Sequence, residues 1–132
     1  MGRGGGAEVV DGTKTVSAMG CEADLVVLLV RTTPEGGHHG LSMLVVERGT
    51  PGFSVGRKLN KLGWRASDTA ELVFQDCRIP VANRLGEENR GFLMAVQDFD
   101  WERRWIAIGS VEEAERSMEL ASEYGGTRAQ SG

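Results

Sequence analysis

Glu102 stands directly before Arg103 and shortly after Asp100-Trp101. On a helix, Glu102 shares a face with Trp105 and Ile106 at i+3 and i+4. An apolar setting of that kind lifts a carboxylate's pKa toward the working pH, as a general base requires. The plainer alternative is an exposed helical glutamate paired with an arginine. Arg103 has the fork geometry to hold a phosphate or orient a carboxylate; with Asp100 it can equally form a solvated pair. His38-His39 sit in a Gly-rich loop with no third ligand at useful spacing, so no metal site is expected. Gly36-Gly37 and Gly40 precede no helix and do not read as a phosphate cradle. Cys21 and Cys77 lie far apart, lack CxxC spacing and have no activating base nearby in sequence. They read as reduced thiols, packed or inert.

Two kinds of element must position these groups, and the change between them falls near residue 88. Before it, short apolar stretches alternate with Gly/Pro turns. Val9-Val10 is followed by a turn dipeptide, Asp11-Gly12, and by a segment from Lys14 to Ala18. Leu25 to Arg31 and Leu41 to Glu47 are apolar, valine-containing strands. Phe53 to Leu59 and Thr69 to Phe74 read as further strands, with Ala70, Leu72 and Phe74 on one face. Cys77 to Pro80 extends the sheet at an edge, where proline is tolerated. Strands this short and close suggest an antiparallel barrel or sandwich. After Gly86 the period changes. Asn89 is expected to cap a helix opening at Arg90. Phe92, Val96 and Phe99 share one face, and Ala107, Val111, Ala114, Met118 and Ala121 form a heptad-like stripe. The helical stretch to Tyr124 would reach ~50 Å, with a break expected at Asp98 to Trp101 and an end at Gly125-Gly126. The fold class is therefore α+β: an antiparallel β-barrel followed by a long C-terminal helix.

Composition narrows the function. The chain has 132 residues, 40% of them hydrophobic, and a net charge of −4, which argues against disorder. Its nineteen glycines are about twice the ordinary share but carry no collagen period. Fifteen basic and nineteen acidic residues are interspersed, so no nucleic-acid stripe is expected. The longest apolar run, Leu25 to Val30, is too short to span a bilayer. The start, Met1-Gly2-Arg3-Gly4-Gly5-Gly6, lacks the apolar core of a signal peptide, so a cytoplasmic location is expected.

The segment Lys61-Leu62-Gly63-Trp64-Arg65-Ala66-Ser67-Asp68-Thr69-Ala70-Glu71-Leu72-Val73-Phe74 runs on through Asp76-Cys77-Arg78-Ile79-Pro80 to Leu85-Gly86-Glu87-Glu88-Asn89-Arg90-Gly91-Phe92. In that order it resembles the acyl-CoA dehydrogenase family, which carries "K-G-x-R-x-S-x-T-x-x-L-x-F-x-D-x-x-V-P" and then "L-G-x-x-x-x-G-F". Ala23-Asp24, Thr50-Pro51-Gly52-Phe53 and, downstream, Tyr124, Arg128, Gln130 and Gly132 fit the same family, so the resemblance covers nearly the whole chain from about Glu8. It implies a much longer full member, with an N-terminal helical domain, a middle β-barrel and a C-terminal four-helix bundle. On that pattern residues 1–7 are an unmatched Gly-rich start, 8–88 are most of the middle barrel, and 89–132 begin the bundle. The family's "T-E-x-x-x-G-S-D" stretch beside the flavin has no counterpart.

The resemblance implies FAD-dependent α,β-dehydrogenation of an acyl-CoA: a glutamate takes the α-proton and FAD takes the β-hydride. Glu102 is the implied base, because one branch of the family places it on this helix just before an arginine; most members place it later in the bundle. Asp100 and Arg103 match positions that contact the acyl-CoA. Val16, Ser17 and Ala18 fall where the family reads "K-x-W-I-T-N-G" against the flavin ring. Here Val16 stands for the tryptophan and Ala18 for the threonine, and Ser17 points to the opposite strand face. Arg128 matches a family arginine that reaches the FAD pyrophosphate of a neighbouring subunit, and Gln130 belongs to the same cofactor-binding stretch, although Ser131 stands where a phenylalanine is expected. A homo-oligomer and an electron-transfer flavoprotein acceptor are implied with them. With half the flavin site and most of the bundle lacking, the polypeptide alone is expected to be inactive. The alternatives are a non-catalytic interaction module docking through the apolar helix, or a gene remnant.

Overall fold

The computed structural model describes residues 2–4 and 6–130. Met1, Gly5, Ser131 and Gly132 lie outside the described residues, so the expectations placed on Ser131 and Gly132 do too. Among the described residues seven strands come first: β1 (Gly2–Gly4), β2 (Ala7–Ala18), β3 (Leu25–Arg31), β4 (Leu41–Glu47), β5 (Phe53–Lys58), β6 (Thr69–Pro80) and β7 (Arg84–Leu85). One helix, α1 (Gly91–Thr127), follows. The chain forms two compact units, one reaching Leu93 and one starting at Met94.

In the first unit the expected barrel is not closed by hydrogen bonds. The strands make two antiparallel sheets, β1-β2-β6-β5 and β3-β4-β7. Between β2 and β3 runs an open cleft of about 540 Å³, lined by Val9 to Lys14 and Leu28 to Arg31. Instead of a backbone ladder, the Lys14 ammonium reaches across and donates to the Leu29 carbonyl at 3.1 Å. The sheets share one core of Val10, Leu28, Val30, Leu44, Val46, Leu72, Phe74, Cys77 and Ile79. The Phe53 and Phe74 rings stack at its margin, 5.0 Å apart.

β3 and β4 run where their valine-containing apolar runs predict, paired from Leu25↔Glu47 to Arg31↔Leu41. β2 and β6 differ from expectation. Asp11-Gly12 is no turn: the strand continues through it, and Asp11 faces two residues of β6, Gln75 and Asp76. The Asp11 carboxylate accepts the Asp76 amide at 2.7 Å, and Gly52 O accepts the Gln75 amide at 2.8 Å. This bulge shifts the side-chain phase by one residue. Ala70, Leu72 and Phe74 therefore face inward before it, and Cys77 and Ile79 after it. Cys77 to Pro80 pairs with Ala7 to Val10 on one side, while the β5 ladder on the other side stops at Phe74, so this end of β6 lies at an edge as expected. A second bulge lies on the other strand, where Thr15 and Val16 of β2 face Glu71 alone.

α1 corrects three expectations. It begins at Gly91, and Asn89 does not cap it. Asn89 has a left-handed φ of 67°, and its side-chain oxygen accepts the Thr32 and Thr33 hydroxyls at 2.6 and 3.1 Å. The helix does not break at Asp98 to Trp101, since that stretch holds neither proline nor glycine. It also passes through Gly125-Gly126 to Thr127. There the Thr127 hydroxyl donates to the Glu123 and Tyr124 carbonyls, satisfying acceptors that a helix end would leave open. No helix among the described residues is long and apolar enough to cross a membrane.

Candidate functional site

The sequence distributes its candidate residues between the two units, and each group has its own setting. On α1, Asp100 and Arg103 form an exposed pair at 3.6 Å, held one turn apart by helical spacing. The Arg104 guanidinium lies 5.2 Å from the centre of the Trp101 ring, a cation–π distance. These two, with Met94, Gln97, Asp98 and Asp100, line a shallow open depression on the helix. Glu102 lies beside it, exposed. Trp105 and Ile106, which were to give it an apolar setting, are themselves 70% and 69% exposed. The helix supplies the apolar neighbours but leaves them open to water.

On β2, the second bulge puts Val16 in a left-handed conformation, φ 67°, which is rare for a β-branched residue. Val16 and Ala18 are exposed and Ser17 is half-buried between them, so Ser17 turns to the other face as alternation requires. Ser17 and Ala18 pair with Ala70 and Thr69. The Arg128 guanidinium rests 5.6 Å from the Tyr124 ring centre, and Gln130 is exposed. A flavin needs a flat apolar cover and donors aimed at its ring. Val16 and Ala18 offer neither an aromatic face nor a hydroxyl, so the side chains at 16–18 do not fit a flavin by themselves.

What holds this part of β2 is Asp68, which the sequence presented only as one letter of a motif. Asp68 is buried, and its Oδ2 accepts the Cys21 amide at 2.7 Å. Its carbonyl accepts the Met19 amide at 3.0 Å. The Cys21 amide bond is the main reason the Asp68 carboxyl sits below the usual carboxylate range. Asp68 Oδ1 is buried with no hydrogen-bond partner among the described residues. Burial, followed by Asp68 itself, pushes the Cys21 thiol up, and burial does the same for Cys77. Both cysteines are free. Protonated thiols of this kind are poor nucleophiles.

Two further polar clusters escaped the sequence. Glu8 is only 2% exposed, in phase with Val10 on β2. Arg84 lies 3.5 Å from it and 3.0 Å from Glu88. The Ser42 hydroxyl receives the Asn89 amide at 2.7 Å and meets Thr32 at 2.8 Å. Next to this cluster Gly91 touches β4: a Cβ there would fall 2.7 Å from the Ser42 carbonyl carbon. Glu8 alternating with Val10 was the one available signal for the first cluster; nothing local announced the second. His38 and His39 are exposed, with ring centres 4.1 Å apart and Phe92 5.3 Å from His38. Among the described residues no three His, Cys, Asp or Glu gather as a metal site.

The sequence model of the acyl-CoA dehydrogenase middle domain matches residues 2–77. The chain is 40% identical over 124 residues to an acryloyl-CoA reductase (NADH) of Anaerotignum propionicum, covering 94% of this chain and 32% of that protein. It is 41% identical to the mitochondrial isobutyryl-CoA dehydrogenase of Bos taurus, again over 94% of this chain and over 30% of the relative. A probable acyl-CoA dehydrogenase from Mycobacterium abscessus superposes with a TM-score of 0.92 at 45% identity, covering 98% of this chain and 34% of that one. The chain thus spans about a third of the length of the relatives it matches.

Proposed function

Because this chain belongs to the acyl-CoA dehydrogenase family, we propose that it carries part of a site for α,β-dehydrogenation of an acyl-CoA thioester, and that by itself it does not turn over. The family implies FAD as cofactor. Residues 8–88 are read as the middle-domain share and 89–132 as the opening of a helical bundle. In this reading Glu102 takes the proton from the carbon beside the thioester carbonyl. Arg103 and Asp100 hold the acyl-CoA, with the guanidinium directed at its anionic groups. The backbone at Val16, Ser17 and Ala18, with the side chains of Arg128 and Gln130, is the share of the FAD site assigned to this chain. Acyl-CoA and an electron-transfer flavoprotein are the partners, and the assembled protein is a homo-oligomer.

The observation that carries the inactivity is the exposure of Glu102 together with Trp105 and Ile106. A base for so weak a carbon acid works when water is excluded around it, and the side chains able to exclude it here are uncovered. The test is to mix the purified chain with FAD and record the flavin spectrum and dye-coupled acyl-CoA oxidation. No stoichiometric flavin and no turnover are expected; a yellow, active chain overturns the reading. The role of Glu102 is tested in a chimera that places residues 8–130 in the matching stretch of the Bacillus subtilis relative. There Glu102→Gln should slow exchange of the substrate α-proton with D2O by about a hundredfold or more. Unchanged exchange assigns the base elsewhere.

The non-catalytic alternative has one observation in its favour. Val111 and Met118 of the stripe are 58% and 71% exposed, so the helix has apolar surface for a partner to cover. Light scattering separates the two: a monomer across the working concentration range counts against docking through the helix.

A further inference from the structure

The two most exposed large apolar side chains among the described residues are not on the helix. They are Leu62, 96% exposed, and Trp64, 84% exposed, on either side of Gly63 in the loop joining β5 to β6. The loop is closed at its neck: the Leu59 amide donates to the Thr69 carbonyl at 2.7 Å, and Arg65 Nε donates to the Lys61 carbonyl at 3.0 Å. Trp64 has a left-handed φ of 52°, so its backbone takes an unusual conformation at the position that presents the ring. Met19, 49% exposed, lies against the loop base, its sulfur 3.7 Å from the Ser67 hydroxyl.

Charge sets this loop apart. Although the chain is acidic overall, no Asp or Glu occurs from Arg48 to Ser67, and Arg57, Lys58, Lys61 and Arg65 surround the apolar pair in sequence. Among the described residues, ion pairs engage Arg48, Arg78, Arg84, Arg90, Arg103 and Arg116, and none of these four cations. Of the carboxylates in adjoining segments, Asp68 is buried on the Cys21 amide and also feels the Lys58 charge, and Asp24 lies 3.7 Å from Arg48. The others are Glu22, the half-buried Glu71, Glu47 at the end of β4, and Asp76 on β6, which pairs with Arg78.

We propose that this loop is a peripheral contact for an anionic lipid surface, with Leu62 and Trp64 entering the headgroup region and the cations meeting lipid phosphates. A tryptophan ring is suited to that depth, and a preformed loop loses little conformational freedom on insertion. A protein partner is less well matched, since a stable interface takes roughly 800 Å² per side around a packed centre, whereas here two side chains project from a narrow tip.

The test is co-sedimentation of the full chain with vesicles of phosphatidylcholine alone, or of phosphatidylcholine mixed with phosphatidylserine. Binding to the mixed vesicles should exceed binding to the neutral ones by about tenfold or more and should fall as salt rises. Lys58→Gln, Lys61→Gln and Arg65→Gln should each lower it about fivefold. Leu62→Ser combined with Trp64→Ser should abolish it while leaving the circular dichroism spectrum and melting midpoint unchanged. In a Trp101→Phe/Trp105→Phe background, brominated lipid should quench Trp64. Equal binding to neutral vesicles overturns the proposal. So does full binding by the Leu62/Trp64 double variant, which would move the contact to α1. Loop-dependent binding to polyglutamate without vesicle binding also overturns it, in favour of an acidic protein surface.

Discussion

The β unit and the helix beyond Met94 use similar apolar residues to opposite effect. In the β unit, Leu44, Val46 and Cys77 are wholly buried, and most of the buried polar side chains found there have partners. Along the helix, Trp101, Trp105, Ile108, Val111 and Leu120 are all about half exposed or more. They occupy several faces, which is the pattern of a helix built to be surrounded. The contrast teaches that the two units acquire stability differently. The sheets bury their own core. The helix has its backbone hydrogen bonds and local pairs such as Arg116–Glu119 at 3.0 Å, which contribute little each.

The largest effects should therefore come from the β unit. Leu44→Ala removes a fully buried side chain and should cost about 2–5 kcal/mol in urea unfolding followed by a β-sheet signal. Arg84→Ala leaves the buried Glu8 without its cation and should cost about 3–5 kcal/mol. Replacing both partners, Glu8→Leu with Arg84→Leu, should recover much of that loss; no recovery would mean that Arg84 acts by packing. Gly91→Ala places a methyl against Ser42 and Leu29, with contacts of 2.7 to 2.9 Å, and should cost about 1–3 kcal/mol in the same melt.

The β unit should also respond to pH. Folding favours ionised Asp68, whose carboxyl is held low chiefly by the Cys21 amide. Its contribution is present above the unfolded carboxylate's pKa and is lost as pH falls through the lowered folded value. Asp68→Asn should lower stability at neutral pH and make the acid limb of the profile shallower. The cysteines act in the other direction. Burial raises Cys21 and Cys77, so their contribution is full below the unfolded thiol's pKa and is lost as pH rises through the folded values. Smallest of all should be Met118→Ala on the helix, within about 0.5 kcal/mol. A loss of several kcal/mol there would show that the helix is already packed in solution, and the contrast between the units would fail.

The strands that bury one face cleanly were the legible part of the fold. β3 and β4 follow from their apolar runs, and Ala70, Leu72 and Phe74 from alternation. The bulges were not legible, because Asp11-Gly12 is also a turn dipeptide; only the long-range bond from Asp76 to Asp11 decides between the two. Asn89 is ambiguous in sequence for a similar reason. Its side chain has cap chemistry, but threonines far away in sequence engage it. Closure of the sheets into a barrel depends on a seam that no local pattern describes. In the site, sequence order placed Glu102, Asp100 and Arg103 on one helix. It could not give their exposure, which depends on what lies around the helix. Asp68 stayed hidden because its role is a single bond to a backbone amide 47 residues away.

The paired bulges of β2 and β6 have a genetic consequence. Before the first, partners run Ala7↔Pro80 to Val10↔Cys77; between the two they run Gly12↔Phe74 to Lys14↔Leu72; after the second they run Ser17↔Ala70 and Ala18↔Thr69. The extra residue on β6 and the extra residue on β2 cancel, so both ends keep one common alignment and only the middle is displaced. Phe74 and Cys77 both face the core across the first bulge, so deleting Asp76 would leave them two apart, both still inward, and convert the bulge to regular pairing. Deleting Thr15 would do the same at the second. Deleting one residue in the regular stretch between Leu72 and Phe74 would instead turn core side chains to the wrong face. The ladder should thus tolerate shortening at its two bulges and not between them, like a rod with two built-in slip joints.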